Sequence, residues 1–279
     1  MKSLKRLVLA LWWRVGIPLI VAVKRLLPIR WALPDTVIIG VQKGGTTALF
    51  DYLVQHPSIR GSIRKEVHYA DLNAHRPIGW YRAHFPRPAK GVQVIESSPY
   101  YIFHPLAPQR LTRILPGVRL IVLLRDPVAR AYSHYQMMRR KGWEERTFAE
   151  AVAAEPDAVH QAEEALRRGD IDHSPDHQHH SYTSRGMYER QLDRWLEHVN
   201  DDQLLVLSSE ALQADPEATL RTIYSFMGVE VTLPRDLRPR HVGRYPSLDE
   251  DVKARLNALY DGQEERLKRR FPTYRPPGS

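Results

Sequence analysis

The sequence predicts an α/β fold: a single P-loop-like domain with a central parallel β-sheet flanked by helices. Three observations predict it. The first is the stretch VIIGVQKGGTTAL at 37–49, where a β-branched run breaks into Lys-Gly-Gly-Thr-Thr and then turns leucine-rich. The second is the return of short apolar runs, VQVIE (92–96), RLIVLLR (119–125) and QLLVLSSE (203–210), each followed by a helix-compatible segment. Strands alternating with helices imply a parallel sheet covered on both faces, with ligands held beyond the carboxyl ends of the strands. The third is size: 279 residues at 43% hydrophobic content are enough for one domain with a full core plus appendages.

The first thirty residues stand apart. LVLALWWRVGIPLIVAVKRLLPIRW is apolar and aromatic, but Arg14, Pro18 and Lys24 interrupt it, so its apolar runs are shorter than the roughly 20 residues a membrane-spanning helix needs. Trp12 and Trp13 beside basic residues suit a helix lying in the headgroup region, and no small-residue cleavage site marks a signal peptide. Residues 1–30 are thus expected to be a membrane-associated segment, or a helix packed on the domain or on a second subunit. Residues 31–279 form the domain.

In 37–49, Val37, Ile38 and Ile39 suit a buried strand, and 46–53 has helical spacing with Ala48, Leu49, Tyr52 and Leu53. Gly44 and Gly45 therefore sit at a strand-to-helix turn, where the backbone bends without a Cβ penalty and successive N–H groups face one point at the positive helix end. That is an anion site, most naturally for phosphate. Lys43 precedes the glycines, whereas the nucleoside-triphosphate loop places its lysine after them, so an ordinary ATPase or kinase loop is disfavoured.

Further along, RLIVLLR leads into RDPVARAYSHY: Arg125 and Asp126 close the strand, Pro127 opens a helix, and Ser133 lies about two turns into it. Arg125 offers a planar fork for a phosphate and Ser133 a hydroxyl, unless Arg125 pairs with a carboxylate and Ser133 is a surface serine. Helical stretches are expected over 127–140, 147–168, 184–199, 216–226 and 248–270. Between the second and third, GDIDHSPDHQHHSYTS reads as a mobile lid or acceptor-side loop. Its histidines His173, His177, His179 and His180 lack a carboxylate or cysteine frame, so no metal site is expected. Tyr188 and Trp195 suit core packing.

The net charge of +9 admits nucleic acid, acidic glycans, nucleotide phosphates or a membrane surface as partners. The absence of cysteine excludes a disulfide framework, a thiolate zinc site and a cysteine nucleophile.

VIIGVQKGGTTAL followed by IVLLRDPVARAYSHY resembles the two cofactor signatures of sulfotransferases that use 3′-phosphoadenosine 5′-phosphosulfate (PAPS), most of all the branch containing heparan sulfate sulfotransferases. RKEVHYAD (64–71), SRGMYERQLDRWLEHV (184–199) with QLLVLSSEAL after it, and HVGRYPSLDEDVKARLNALY (241–260) resemble the same branch. The resemblance runs in order over 35–272. It implies that Lys43, Gly44, Gly45, Thr46 and Thr47 hold the 5′-phosphosulfate, that Arg125 and Ser133 take the 3′-phosphate, and that Gly243 and Arg244 return to the nucleotide. It implies that Glu66 is the base, with His68 beside it in the acceptor cleft. Read without the resemblance, Glu66 is a solvated charge beside Lys65; even with it, His68 is either a buried, satisfied histidine or a catalytic helper. Glu96 is catalytic, substrate-positioning or structural, and is assigned with Ser98 to substrate positioning.

Two departures bear on the acceptor. Thr47 stands where heparan-type relatives often have arginine, and Glu96-Ser97-Ser98-Pro99 lacks their lysine after the glutamate. Both argue against a heavily charged glycan. The missing cysteine pair of animal relatives favours a bacterial-like enzyme, cytoplasmic and peripherally membrane-associated. The expected activity is sulfuryl transfer from PAPS, with no metal, to a hydroxyl or amine of a glycan, lipid-linked or small-molecule acceptor. A membrane surface is expected as partner through residues 1–30, and nucleic acid is not. The alternatives are a kinase-like phosphoryl transferase and a non-enzymatic basic module that binds membranes or nucleic acid.

Overall fold

The computed structural model describes residues 11–238 and 245–276. In chain order the elements are α1 (Ile17–Leu26), β1 (Thr36–Gly40), α2 (Thr46–Leu53), β2 (Ile59–Gly61), α3 (Ile78–Arg82), β3 (Gln93–Ser97), α4 (Ala107–Ile114), β4 (Arg119–Leu124) and α5 (Pro127–Lys141). There follow α6 (Phe148–Arg168), α7 (Pro175–His179), α8 (Tyr188–Leu196), β5 (Leu204–Ser208), α9 (Ser209–Ala214), α10 (Pro216–Met227), α11 (Glu250–Leu259) and α12 (Gln263–Arg270).

The five strands form one parallel sheet in the order β2-β3-β1-β4-β5. Period-two alternation sends successive side chains to opposite faces, and both faces are covered. Val37, Ile39, Val122 and Val206 pack with Trp195 and Tyr188 on one side. Ile38, Ile121, Leu123 and Leu205 pack with Leu49, Leu53 and Tyr224 on the other. Every residue of β1 is buried, which is why its sequence is continuously apolar rather than alternating. Strand order reverses at β1, with β3 on one side and β4 on the other, so the crevice for a ligand opens beyond the ends of β1 and β4.

Several expectations are corrected. The helix over 248–270 is two helices, because Gly262 adopts φ 68° and ends the run. The helix over 184–199 begins as a 3₁₀ turn and is α-helical only over Tyr188–Leu196. The histidine-rich segment is not simply a mobile loop: Ser174 caps α7, and His177 is fully buried with Nδ1 2.6 Å from the Tyr100 hydroxyl. The three-residue β2 and the short helix α3 were not foreseen. Tyr188 and Trp195 are core residues, as expected.

Candidate active site

The loop after β1 is pinned from β4. Val41 N–H donates to the Leu123 carbonyl at 3.1 Å, and an added Cβ at Gly44 would lie 2.4 Å from the same oxygen, so only glycine fits there. Gly45, at φ 91°, caps α2, placing the free N–H groups of Thr46 and Thr47 at the positive end of the helix. Lys43 itself has φ 73°. A left-handed conformation at a residue with a side chain costs on the order of 1–3 kcal/mol, and such outliers gather at functional sites. Among the described residues the only other non-glycine with positive φ is His68, at 56°.

Arg125 reaches across the switch point, donating from Nη1 to the Lys43 carbonyl at 3.0 Å, while its own carbonyl accepts from the Tyr188 hydroxyl at 2.7 Å. Among the described residues it pairs with no carboxylate, and Ser133 is buried rather than a surface serine. The Ser133 Oγ is 3.2 Å from the Tyr245 hydroxyl. The Lys43 ammonium is lowered by burial and further by the charges of Arg140, Arg125 and Lys141, against the opposing effect of Tyr245. Burial would raise the Tyr245 phenol, but hydrogen bonds with Ser133 and Arg140 and the charges of Lys43 and Arg140 lower it. Lys43, Arg125, Arg140 and Lys141 thus share one patch, and the described residues supply none of them with a carboxylate ion pair. Gly243 and Arg244 lie outside the described residues.

The acceptor side is built on 65–71. Glu66 is 44% exposed and lies 3.0 Å from Lys65 Nζ and 3.3 Å from His68 Nε2. Burial would raise its carboxyl, but the His68 hydrogen bond and the charges of Lys65 and His68 outweigh that and hold it at about 2. His68 places Nδ1 2.9 Å from Asp71 Oδ2. Burial works to lower the imidazole, yet Asp71 and Glu66 together raise it to about 10. His68 is therefore an imidazolium between two carboxylates at neutral pH. Lys141, at the end of α5, is lowered by burial and raised by Glu66, and its charge in turn lowers Lys43, so Lys141 lies within electrostatic reach of both the carboxylate and the loop.

Glu96 and Ser98 require a correction. Both are fully buried, and the Glu96 carboxylate accepts from Tyr81, from Ser98 at 2.6 Å and from Tyr101 at 2.9 Å. Burial raises the Glu96 carboxyl. The Ser98 Oγ accepts from the His68 N–H at 3.1 Å, and the Tyr101 hydroxyl from the Tyr69 N–H at 2.7 Å. Through Ser98 the pair holds the His68 backbone, and both side chains are enclosed in this structure. The lack of a lysine after Glu96 is thus matched by a ring of hydroxyl donors.

Sequence reasoning did not single out Asp71, Arg140, Lys141 or Arg185. Arg185 is buried, donates to Gln42 Oε1 at 3.2 Å beside Lys43, and stacks on Tyr100 and Phe103. Burial lowers its guanidinium to about 10, which leaves it charged at neutral pH. Asp71 stood in the quoted RKEVHYAD stretch, and its i, i+3 spacing from His68 was an available signal. Among the described residues no group of three or more His, Asp or Glu is arranged to hold a metal ion.

Asp71→Asn is expected to keep the fold and drop the His68 pKa from about 10 toward the ordinary imidazole range. Because the folded value is raised, the stability from this pairing is fully present below the unfolded value and is lost as pH rises through about 10. The variant should lose both that stability and activity at a lower pH. NMR titration of His68 beside a pH–rate profile checks this, and an unmoved alkaline limb would remove Asp71 from the site.

A loop that gathers anions, facing an ionised carboxylate across a cationic rim, defines a group-transfer class on an α/β phosphate-loop scaffold. Within that class the chain belongs to the sulfotransferase domain family, which matches residues 33–251. It is 35% identical over 203 residues to heparan sulfate glucosamine 3-O-sulfotransferase 3B1 of Mus musculus, covering 71% of this chain and 47% of that protein. It is 34% identical over 252 residues to the Homo sapiens 3B1 protein, covering 82% and 60%. It is 30% identical to the bifunctional heparan sulfate N-deacetylase/N-sulfotransferase 1 of Xenopus laevis, covering 70% and 22%. The chain thus spans about half the length of the 3-O-sulfotransferases it matches. Its fold matches the sulfotransferase from Alicyclobacillus acidocaldarius with a TM-score of 0.68 at 26% identity, over 85% of this chain and 95% of that one.

Proposed function

We propose that the protein transfers a sulfuryl group from PAPS to a hydroxyl or amine of a glycan, lipid-linked or small-molecule acceptor. The observation that carries this reading is the glycine loop at a helix N-terminus, with Lys43 and Arg125 joined at it and Lys141 within electrostatic reach of both Lys43 and Glu66. The residues fit the donor: the Gly44 backbone lies against Leu123 with no room for a side chain, and Lys43, Arg125, Arg140 and Lys141 lack carboxylate partners among the described residues. Lys43, Gly44, Gly45, Thr46 and Thr47 would hold the 5′-phosphosulfate and Arg125 and Ser133 the 3′-phosphate; the roles of Gly243 and Arg244 rest on resemblance alone. When bound, PAPS supplies a sulfuryl group attached to a phosphate leaving group.

Glu66, ionised across the neutral range, accepts the proton that the acceptor oxygen or nitrogen loses as it bonds to sulfur. Lys43 and the loop N–H groups stabilise charge growing on the leaving phosphate oxygen. His68 and Asp71 hold the Glu66 carboxylate in place. No step uses a metal. Residues 1–30 make peripheral contact with a membrane surface from the cytoplasmic side. No described helix is long and apolar enough to span a bilayer.

Calorimetry with adenosine 3′,5′-bisphosphate and adenosine 5′-phosphate tests the donor assignment. Hydrogen bonds to a charged group contribute roughly 1.5–3 kcal/mol each, so the nucleotide with the 3′-phosphate should bind at least about 100-fold more tightly. Arg125→Ala with Ser133→Ala should erase that preference. Equal affinities in the unaltered protein would overturn the assignment. An acceptor screen with PAPS, read by mass spectrometry for sulfuryl addition, tests transfer directly.

A further inference from the structure

The excess positive charge of this chain has an address. Residues 1–34 contain seven Lys and Arg, and residues 72–92 contain four, with no Asp or Glu in either stretch. The remaining 30 Lys and Arg face all 32 acidic residues, so the net +9 of the whole chain arises within these two segments. The fold brings them together: α1 buries Ile17 and Val21 against Ala83 and Trp80. Trp31 Nε1 donates to the Lys24 carbonyl, Arg82 donates to the Trp31 carbonyl, and the Lys24 ammonium lies 3.9 Å above the Trp31 ring. Lys24, Arg25, Trp31, Pro77 and Arg82 line a groove between the two segments. Lys24, Arg25, Arg30, Arg76, Arg82 and Arg87 have no carboxylate partner among the described residues.

Beside this cationic groove lies a second unusual surface. Leu11, Trp12, Val15, Leu19, Val23 and Leu26 are all at least half exposed, Leu26 reaching 86%. Helical periodicity places them on the side of the N-terminal helix opposite Ile17 and Val21. A helix that uses one apolar face on its own domain and leaves a second in water, with basic residues at its margins, matches an anionic bilayer in both respects.

We infer that α1 and 76–90 form one docking face for a bilayer of anionic phospholipid, with the Leu19–Val23–Leu26 stripe in the interface and the arginines on the headgroups. This deepens, and rests on, the membrane contact proposed above for residues 1–30. It adds the lipid charge, a second segment and an orientation. Docking sets the acceptor loop beside the bilayer: Trp80 stacks on Tyr69 with ring centroids 6.5 Å apart, Tyr81 on the same ring at 4.4 Å, and Tyr69 follows His68 directly. An acceptor carried on a lipid in that bilayer would lie next to Glu66.

The test is flotation of the full chain with vesicles of phosphatidylcholine alone and of an equimolar mixture of phosphatidylcholine and phosphatidylglycerol. Binding to the mixture and little to phosphatidylcholine is expected. Each cation near an anionic surface contributes about a factor of five, so Arg25→Glu, Arg30→Glu and Arg87→Glu combined should weaken binding at least ~100-fold. Leu19→Ser with Leu26→Ser should also release the protein, although these exposed side chains hold nothing in the core. Affinity for adenosine 3′,5′-bisphosphate, measured on the same variants, should stay unchanged and reports both folding and the donor site independently. Equal binding to both vesicle types, no binding to either, or full binding by the charge-reversed variant would overturn the inference. So would a stable dimer that covers the stripe and does not float.

Discussion

Glu66→Gln is expected to lower turnover by about 10²–10⁴ with little change in donor affinity, because positioned general bases contribute that much and Glu66 does not belong to the nucleotide loop. Gln keeps the size and one acceptor oxygen but removes the basic site. The carboxyl is held at about 2, so it is ionised well before neutrality and its titration does not limit activity between pH 5 and 8. The sign follows from the depression: the interaction is present above the unfolded carboxyl value and is lost only as pH falls through about 2. A base this strongly paired is a weak proton acceptor, so the entering acceptor must displace Lys65 or His68 from it. Single-turnover rates and calorimetry on the same variant check both halves. Near-normal turnover on the true acceptor would remove the role of base from Glu66; His68, protonated between two carboxylates, and Glu96, sealed behind three hydroxyls, are both poor replacements.

Lys43→Ala should differ in kind. In the proposed assignment Lys43 faces the donor's negative charge both before and during transfer, so its removal should weaken donor binding as well as slow the chemistry. Loss of one charge-stabilising donor costs about 10²–10³ in turnover, and the ground-state contact adds roughly 10- to 100-fold in affinity. The ammonium is lowered by burial and by Arg140, Arg125 and Lys141, so it holds its proton less tightly than a free lysine. An anion entering the patch offsets that repulsion, and Lys43 should therefore take up charge density from the donor more strongly than an exposed lysine would. Calorimetry with adenosine 3′,5′-bisphosphate and transfer assays at saturating PAPS separate the two effects. A variant with weakened binding but unchanged saturated turnover would confine Lys43 to the ground state.

Elements with a strong local signal were legible. β1, β3, β4 and β5 are runs of buried residues, and α5, α6 and α10 begin at Asp126, Thr147 and Asp215, each of which caps its helix. The loop of 43–47 was legible because glycine is required by a backbone contact at Gly44 and by positive φ at Gly45. β2 was not, because three residues with one buried side chain carry no periodicity. His177 was misplaced because a polar stretch can still bury one side chain when a hydroxyl from elsewhere, here Tyr100, meets it.

What the sequence by itself determined is the scaffold and the two segments proposed to hold the donor: strand, glycine turn, helix, and an arginine and serine spaced along one strand-to-helix segment. Within each of these two segments the residues lie close in the chain, so local geometry suffices to aim them. What only the tertiary structure decided is every relation between distant segments. Arg125 meets the Lys43 carbonyl across the sheet, Lys141 comes within electrostatic reach of both Lys43 and Glu66, and Asp71 raises the pKa of His68. Glu96 shows the limit most plainly: it reads as a carboxylate at a strand end, ready to touch an acceptor, but the fold encloses it among three hydroxyls contributed by Tyr81, Ser98 and Tyr101. Desolvation and hydrogen bonding set the chemistry of an ionisable side chain, and both depend on neighbours supplied by the fold.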